Sequence, residues 1–118
     1  MKTTLTIEQS AELIKRGVKE SRATGSVWSP SENVYIRTTF LHADLFSLLP
    51  KGIIHNGLSC KLRITSWYDE PYFAGYENQV GKYIMGNPYD APFSSEELID
   101  VIFQLLSWAI DHNHVKLD

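Results

Sequence analysis

The sequence predicts an α+β fold: a small, mainly antiparallel sheet of three or four strands, packed with two main helices and one short helix. Two observations support this prediction. Near both ends of the chain, apolar residues recur at spacings of three and four, which is typical of helices that bury one face. Between these segments, apolar and polar residues alternate, which is typical of strands with one buried face. A chain of 118 residues suits one domain, and we assign residues 1–118 to it.

The first helix is predicted over residues 7–17. Its apolar residues are spaced to lie on one face: Ile7, Ala11, Ile14 and Val18. Thr6 and Gln9 have the spacing of a capping box, in which each side chain hydrogen-bonds the backbone N–H of the other residue. Gly17, or the polar residues that follow Val18, can end this helix.

Three segments follow the first helix. Residues 22–32 are rich in Ser, Gly and Pro, and they are predicted to form an ordered surface loop that carries Trp28. In residues 33–39, β-branched side chains occur at every second position and therefore share one face, which predicts a strand. Residues 42–49 are predicted to form the short helix, because Pro50 cannot continue it.

The centre of the sheet is predicted to be a hairpin. Residues 58–67 alternate most clearly between apolar and polar side chains, and residues 72–77 return as their partner strand after a four-residue connection. Turns around Gly52 and around Asn56-Gly57 are expected before this hairpin.

The last helix is predicted over residues 95–111, after a long connection at residues 78–93. Ser94 and Glu97 have the spacing of a second capping box. The apolar arc of this helix is wider than a small sheet can cover on one side, so either a second layer of the fold or another copy of the chain covers it. We expect a second molecule, as a homo-oligomer or a protein partner. The residues assigned to this interface are Ile99, Phe103, Leu106 and Ile110.

Aromatic residues are concentrated in the predicted hairpin and the connection after it. Seven of them lie within the 23 residues from Trp67 to Tyr89. Their rings can rigidify a small sheet by cross-strand packing, or they can form a recognition surface. Four of them are assigned to a second candidate interface: Trp67, Tyr68, Tyr72 and Tyr76.

Single-stranded nucleic acid is a narrower alternative for the aromatic surface. Bases would stack on the rings while Arg37, Lys61 and Arg63 contact phosphates. The net charge of −3 and the neighbouring Asp69 and Glu70 count against this alternative, so nucleic acid is not an expected partner.

Charge is divided unevenly along the chain. Residues 1–63 carry nine basic and five acidic side chains, whereas residues 64–118 carry two basic and nine acidic side chains. The two halves can neutralise each other within the fold, or they can form a charge dipole that orients a partner.

No motif in the sequence indicates a catalytic, cofactor-binding or metal site. The spacing of His112 and His114 favours a solvated helix end, since a metal site would need further ligands from His42 or His55. Cys60 lies on the apolar face of its strand, so we expect a buried structural thiol.

A small enzyme is the alternative to a binding role. Its site would be assembled from scattered loops, for instance by convergence of His42, His55 and Asp69. The sequence by itself does not show such a convergence, so no catalytic residue is assigned.

The sequence predicts a cytoplasmic protein that does not enter a membrane. No signal peptide is recognisable after Met1, and the longest apolar segment, residues 98–110, has only 13 residues, too few for a membrane span. A single cysteine fits a reducing compartment.

Several segments together show a family resemblance. Thr6, Gln9 and Gly17 in the first helix, residues 44–50, and residues 95–100 at the start of the last helix resemble small proteins of unknown function encoded in bacterial prophages and mobile elements. The resemblance implies an intracellular accessory protein and provides no catalytic residues. We therefore expect a non-enzymatic interaction protein that self-associates through its C-terminal helix.

Overall fold

The computed structural model of the protein describes residues 2–66, 68–84 and 92–117. It confirms the α+β class. The α-helices among the described residues are α1 (Ile7–Lys15), α2 (His42–Leu48) and α3 (Leu98–Asp111), and a short 3-10 helix spans Glu20–Arg22. The strands are β1 (Gly25–Ser29), β2 (Val34–Thr39), β3 (Gly52–His55), β4 (Leu58–Ser66), β5 (Tyr72–Glu77) and β6 (Phe93–Ser95).

The predicted hairpin is confirmed as β4 and β5, the central pair of a four-stranded antiparallel sheet with the order β3-β4-β5-β6. Its register runs from Ser66 opposite Tyr72 to Lys61 opposite Glu77. Because side chains alternate along a strand, Leu62 and Tyr76 share the face that packs on the core, while Lys61 and Glu77 share the other face.

Strand β3 was not predicted. It pairs with β4 through a two-residue connection, Asn56-Gly57, in which both residues have positive φ, 50° and 78°. Two consecutive positive φ values are the mark of a type I′ hairpin turn, which suits Asn-Gly and matches the twist of the flanking strands. The turn expected at Asn56-Gly57 is therefore confirmed, whereas the residues around Gly52 begin a strand.

The prediction of a surface loop over residues 22–32 was wrong for its central part. Residues 25–29 form β1, which pairs with β2 in a separate two-stranded sheet. The predicted strand at residues 33–39 is thus confirmed as β2, but it lies outside the four-stranded sheet. Gly25 permits this pairing, since a Cβ there would lie 2.9 Å from Oγ1 of Thr39.

The capping box of the first helix is confirmed. Thr6 Oγ1 accepts a hydrogen bond of 3.0 Å from the Gln9 backbone N–H, and the Gln9 side chain accepts one of 2.9 Å from the Thr6 N–H. Gly17 has a φ of 107°, which favours glycine, and a Cβ there would lie only 3.0 Å from a methyl of Leu117. The chain therefore turns sharply where the helix ends.

The last helix begins three residues later than predicted, at Leu98. Ser94 and Ser95 belong to β6, opposite Phe73 and Tyr72 of β5, so the predicted capping box at Ser94 was wrong. Within the connection expected at residues 78–93, Tyr83 forms a bridge with Glu77, and Phe93 begins β6. Residues 85–91 lie outside the described residues.

The core forms where α3 packs on β5, β6 and α2. One cluster of buried side chains extends from Leu5 to Ile110 and includes the deeply buried Leu13, Phe40 and Leu45. Among the described residues, no helix combines the length and the apolar character needed to cross a bilayer.

Candidate functional site

The interface residues predicted on α3 are core residues in the structure. Ile99 and Leu106 are fully buried, Ile110 is 9% exposed, and Phe103 is half-buried against the same cluster. The chain itself covers the apolar arc. The reasoning that required a second molecule to cover this helix therefore no longer holds.

Polar side chains in α1 and beside its ends reach both ends of α3. Gln9 and Lys2 bind the Asp100 carboxylate near the start of α3, at 2.9 and 2.6 Å. Arg16 binds Asp111 at the end of α3, at 3.1 Å. These bonds hold α1 alongside α3, in addition to the contacts that α2 and the sheet make with it.

The aromatic hairpin divides between core and surface. Tyr76 is fully buried, and its hydroxyl donates a hydrogen bond of 2.6 Å to the Pro50 carbonyl, while burial raises its pKa. Tyr72 is half-buried and packs on the core. Tyr68, by contrast, is 94% exposed at the tip of the hairpin. Trp67 lies outside the described residues.

The basic residues proposed for phosphate contact are already engaged. Arg63 binds the Glu77 carboxylate at 2.8 Å, and Lys61 lies 3.7 Å from it. The hydrogen bond from Arg63 holds the pKa of Glu77 below its ordinary value, so this carboxylate stays charged. The Arg37 side chain lies outside the described part of the chain. Stacking of nucleic acid on this sheet gains no support from the arrangement.

Three clefts meet around Asn78, beside the tip of the β3–β4 hairpin. The first, of about 480 Å³, is lined by residues that include Ser59, Lys61 and Glu77. The second, of about 340 Å³, lies between Leu58 and Lys82 and includes His55. The third, of about 350 Å³, lies between Leu58 and Val80.

Exposed apolar side chains border these clefts. Val80 is 77% exposed and Leu58 is 51% exposed. Ile54 is 72% exposed, but it pairs with Ser59 whereas Leu58 pairs with His55, so the Ile54 and Leu58 side chains lie on opposite faces of the hairpin. We name this region the hairpin–loop surface and define it by four residues that line the third cleft: Leu58, Ser59, Asn78 and Val80.

Hydrogen bonds hold the loop side of this surface in place. The Asn78 side-chain oxygen accepts from the backbone N–H groups of Val80, at 3.1 Å, and Lys82, at 3.0 Å. The Asn78 backbone N–H donates to the Lys82 carbonyl at 2.8 Å. A positive φ of 82° at Gly81 closes the turn. The loop therefore presents Val80 on a preformed backbone.

A histidine cluster lies next to the second cleft. Nδ1 of His55 and Nε2 of His114 are 2.9 Å apart, which is a hydrogen bond between two imidazoles. Trp108 stacks on His112, with ring centroids 4.6 Å apart, and Nδ1 of His112 lies 2.8 Å from the Trp108 carbonyl oxygen. Sequence reasoning missed the approach of His55, because it depends on the unpredicted strand β3.

This cluster is not arranged as a metal centre. Within residues 2–66, 68–84 and 92–117, no group of three or more His, Cys, Asp or Glu side chains is placed to hold a metal ion. Burial is the main cause that lowers the pKa of both His55 and His114, and it favours the neutral imidazoles. The short bond between them is consistent with one ring donating and the other accepting.

The convergence considered for an enzyme does not occur. His55 pairs with Leu58 at one end of β4, whereas Asp69 follows Ser66 at the other end. The strand between Leu58 and Ser66 spans about 27 Å, so these two side chains cannot share a proton. Cys60 is buried as expected, and burial raises the pKa of its thiol.

Comparison with known proteins finds no relative of this chain. Neither a protein family, nor a curated protein, nor a solved structure matches this chain.

Proposed function

We propose that this protein is an interaction module that binds a protein partner through the hairpin–loop surface. One observation supports this most directly: the exposed Leu58 and Val80 line the same cleft. Single exposed apolar side chains are common on soluble proteins. Two on either side of one cleft favour a contact surface, because a partner's side chain can be desolvated between them.

The ordered loop supports the same proposal. Binding surfaces lose affinity when loops and side chains must be immobilised on association. The hydrogen bonds from Asn78 fix the backbone on both sides of Val80 before any partner arrives. A partner would therefore meet a shaped surface rather than a chain that it must order.

The charges around the clefts indicate the chemistry of the partner. Lys82 lines the second cleft, and Lys61 and Arg63 line the first. Among the described residues that line these clefts, Glu77 is the one carboxylate, and it is buried and bound by Lys61 and Arg63. Three cations against one carboxylate leave an excess of positive charge even with these ion pairs formed, so the rim suits a segment that carries an apolar side chain next to carboxylates.

Other exposed apolar residues among those described do not converge in this way. Trp28 pairs with Tyr35, and Val34 pairs with the neighbouring Ser29, so Trp28 and Val34 lie on opposite faces of their sheet. Phe46 is exposed on α2. The cytoplasmic location and prophage origin expected from the sequence fit an accessory binding protein, and both stay predictions.

Surface-dependent capture tests the proposal. The proteins retained by immobilised wild type are compared with those retained by immobilised Val80→Asp. Val34→Asp serves as a matched control, since it places the same charge at another exposed valine. Circular dichroism verifies that both variants are folded. We expect a partner protein that wild type and Val34→Asp retain, and that Val80→Asp retains at least about tenfold more weakly. Equal retention by Val80→Asp, or no partner retained by wild type, contradicts the proposal.

A further inference from the structure

We propose that the partner is a second copy of this chain, whose hairpin tip, Tyr68-Asp69-Glu70, docks head-to-tail on the hairpin–loop surface. This inference rests on the proposed function and names the partner for the same surface. It differs from self-association through α3, because both contacting regions are exposed in the single chain.

The tip has the chemistry that the hairpin–loop surface requires. Tyr68 projects almost fully into solvent and offers a large apolar ring with a polar end, and tyrosine is enriched among residues that dominate binding energy. Asp69 and Glu70 follow it directly and are exposed. The tip therefore presents one aromatic ring beside two carboxylates.

The two regions are complementary in shape and charge. The cleft between Leu58 and Val80 has a volume of about 350 Å³, enough for a tyrosine ring. Lys61 lines the neighbouring first cleft and Lys82 the second, and both are opposite in charge to the carboxylates of the tip. Ion pairs between exposed side chains add little affinity, but they orient the encounter and raise its rate.

The distance between the two regions determines the kind of assembly. The tip and the hairpin–loop surface lie at opposite ends of β4, about 27 Å apart, so a chain cannot fill its own cleft. The contact joins two different surfaces, so two copies that exchange it reciprocally form a two-fold dimer. Copies that do not exchange it form a ring or an open chain of subunits.

Mixing two variants tests this geometry. The tip variant carries Tyr68→Ala and Glu70→Lys, and the cleft variant carries Val80→Asp and Lys82→Glu, all at exposed positions. Each variant keeps one of the two surfaces intact. Sedimentation velocity, over concentrations up to the millimolar range, is measured on wild type, on each variant and on their equimolar mixture, with Val34→Asp as the control.

We expect the mass of wild type and of Val34→Asp to rise with concentration, while each variant alone stays monomeric. The mixture should form a dimer with one copy of each variant and nothing larger, because only one intact pair of surfaces remains. A mixture that stays monomeric while wild type associates overturns the head-to-tail contact. A wild type that stays monomeric throughout overturns it as well.

The capture experiment separates this failure from failure of the proposed function. If wild type is monomeric but captures another kind of protein that Val80→Asp does not retain, the surface binds a partner. Only the identity proposed for that partner is then wrong. If Val80→Asp loses nothing and wild type is monomeric, both proposals are wrong.

Discussion

Tyr76 shows how a single residue joins the sheet to the segment before it. Its ring is fully buried beneath α3, and its hydroxyl reaches the Pro50 carbonyl just before β3. A buried tyrosine needs a partner for its O–H group, since an unpaired one is costly. The alternation in β5 could predict that this side chain faces inward. It could not predict the bond to Pro50, which depends on how the β3–β4 hairpin is placed.

Tyr76→Phe removes the hydroxyl and keeps the ring. We expect it to lower the free energy of unfolding by about 1–2 kcal/mol, because the Pro50 carbonyl loses its donor. Urea denaturation followed by circular dichroism measures the change. Tyr68→Phe is the control and should have no measurable effect, since that hydroxyl is exposed. Equal stability of Tyr76→Phe and wild type would mean that the bond contributes nothing.

The histidine cluster makes stability depend on pH. The folded state holds the pKa of His55 and His114 below the ordinary value of about 6.5, mainly through burial. As the pH falls below about 6.5, the unfolded chain takes up protons first, so stability is present above this pH and lost below it. His112 adds to the effect, because its positive charge further lowers both pKa values.

Urea denaturation at a series of pH values tests this expectation. The free energy of unfolding of wild type should fall from pH 7.5 to pH 5, and His114→Gln should show a shallower fall. His42→Gln is the control and should follow the wild-type curve. A slope that is the same for wild type and His114→Gln contradicts the role given to the pair.

At the scale of elements, the sequence predicted those features that depend only on residues close to one another in the chain. The Thr6–Gln9 capping box and the alternation in β4 depend on neighbouring residues, and both are confirmed. Strand β1 contains Gly and Ser, which suggested a loop, and β6 contains two Ser residues, which suggested a helix cap. Pairing with β2 and with β5, respectively, makes these segments strands. Asn56-Gly57 is a strong hairpin signal that could have found β3.

The candidate site was less predictable than the elements. The width of the apolar arc on α3 shows how much surface must be buried, but not which neighbour buries it. Leu58 was expected on the buried face of its strand, yet it lies at the end of β4 beyond the cover of the helix and is half exposed. Val80 lies in a loop without periodicity, so its position beside Leu58 depends on the hydrogen bonds of Asn78.

Leu106 distinguishes a core helix from an interface helix. Leu106→Ala should lower the free energy of unfolding by about 2–5 kcal/mol, because it leaves a cavity at a fully buried position. Leu58→Ala is the matched control, and its cost should be under about 1 kcal/mol, since that side chain is half exposed. Chemical denaturation measures both. Unchanged stability of Leu106→Ala together with a changed molar mass in solution would return α3 to the role of an interface.

At the scale of the whole molecule, the two ends of the sheet differ. One end has apolar clefts and basic side chains, and the other end has an exposed tyrosine and two carboxylates. The charge asymmetry of the sequence left open whether the two halves neutralise each other within the fold or form a dipole. The fold assigns Lys61 and Lys82 to one end of the sheet and Asp69 and Glu70 to the other, because the β4–β5 hairpin separates them.

Site-specific photo-crosslinking in cells tests most directly whether the hairpin–loop surface meets a partner. A photoreactive amino acid replaces Ser59, which is exposed at the centre of this surface, or Glu8, which is exposed on α1. We predict a covalent adduct with a protein partner, which can be a second copy of the chain, from position 59 and none from position 8. An adduct from position 8 alone, or none from position 59, would contradict the assignment of this surface.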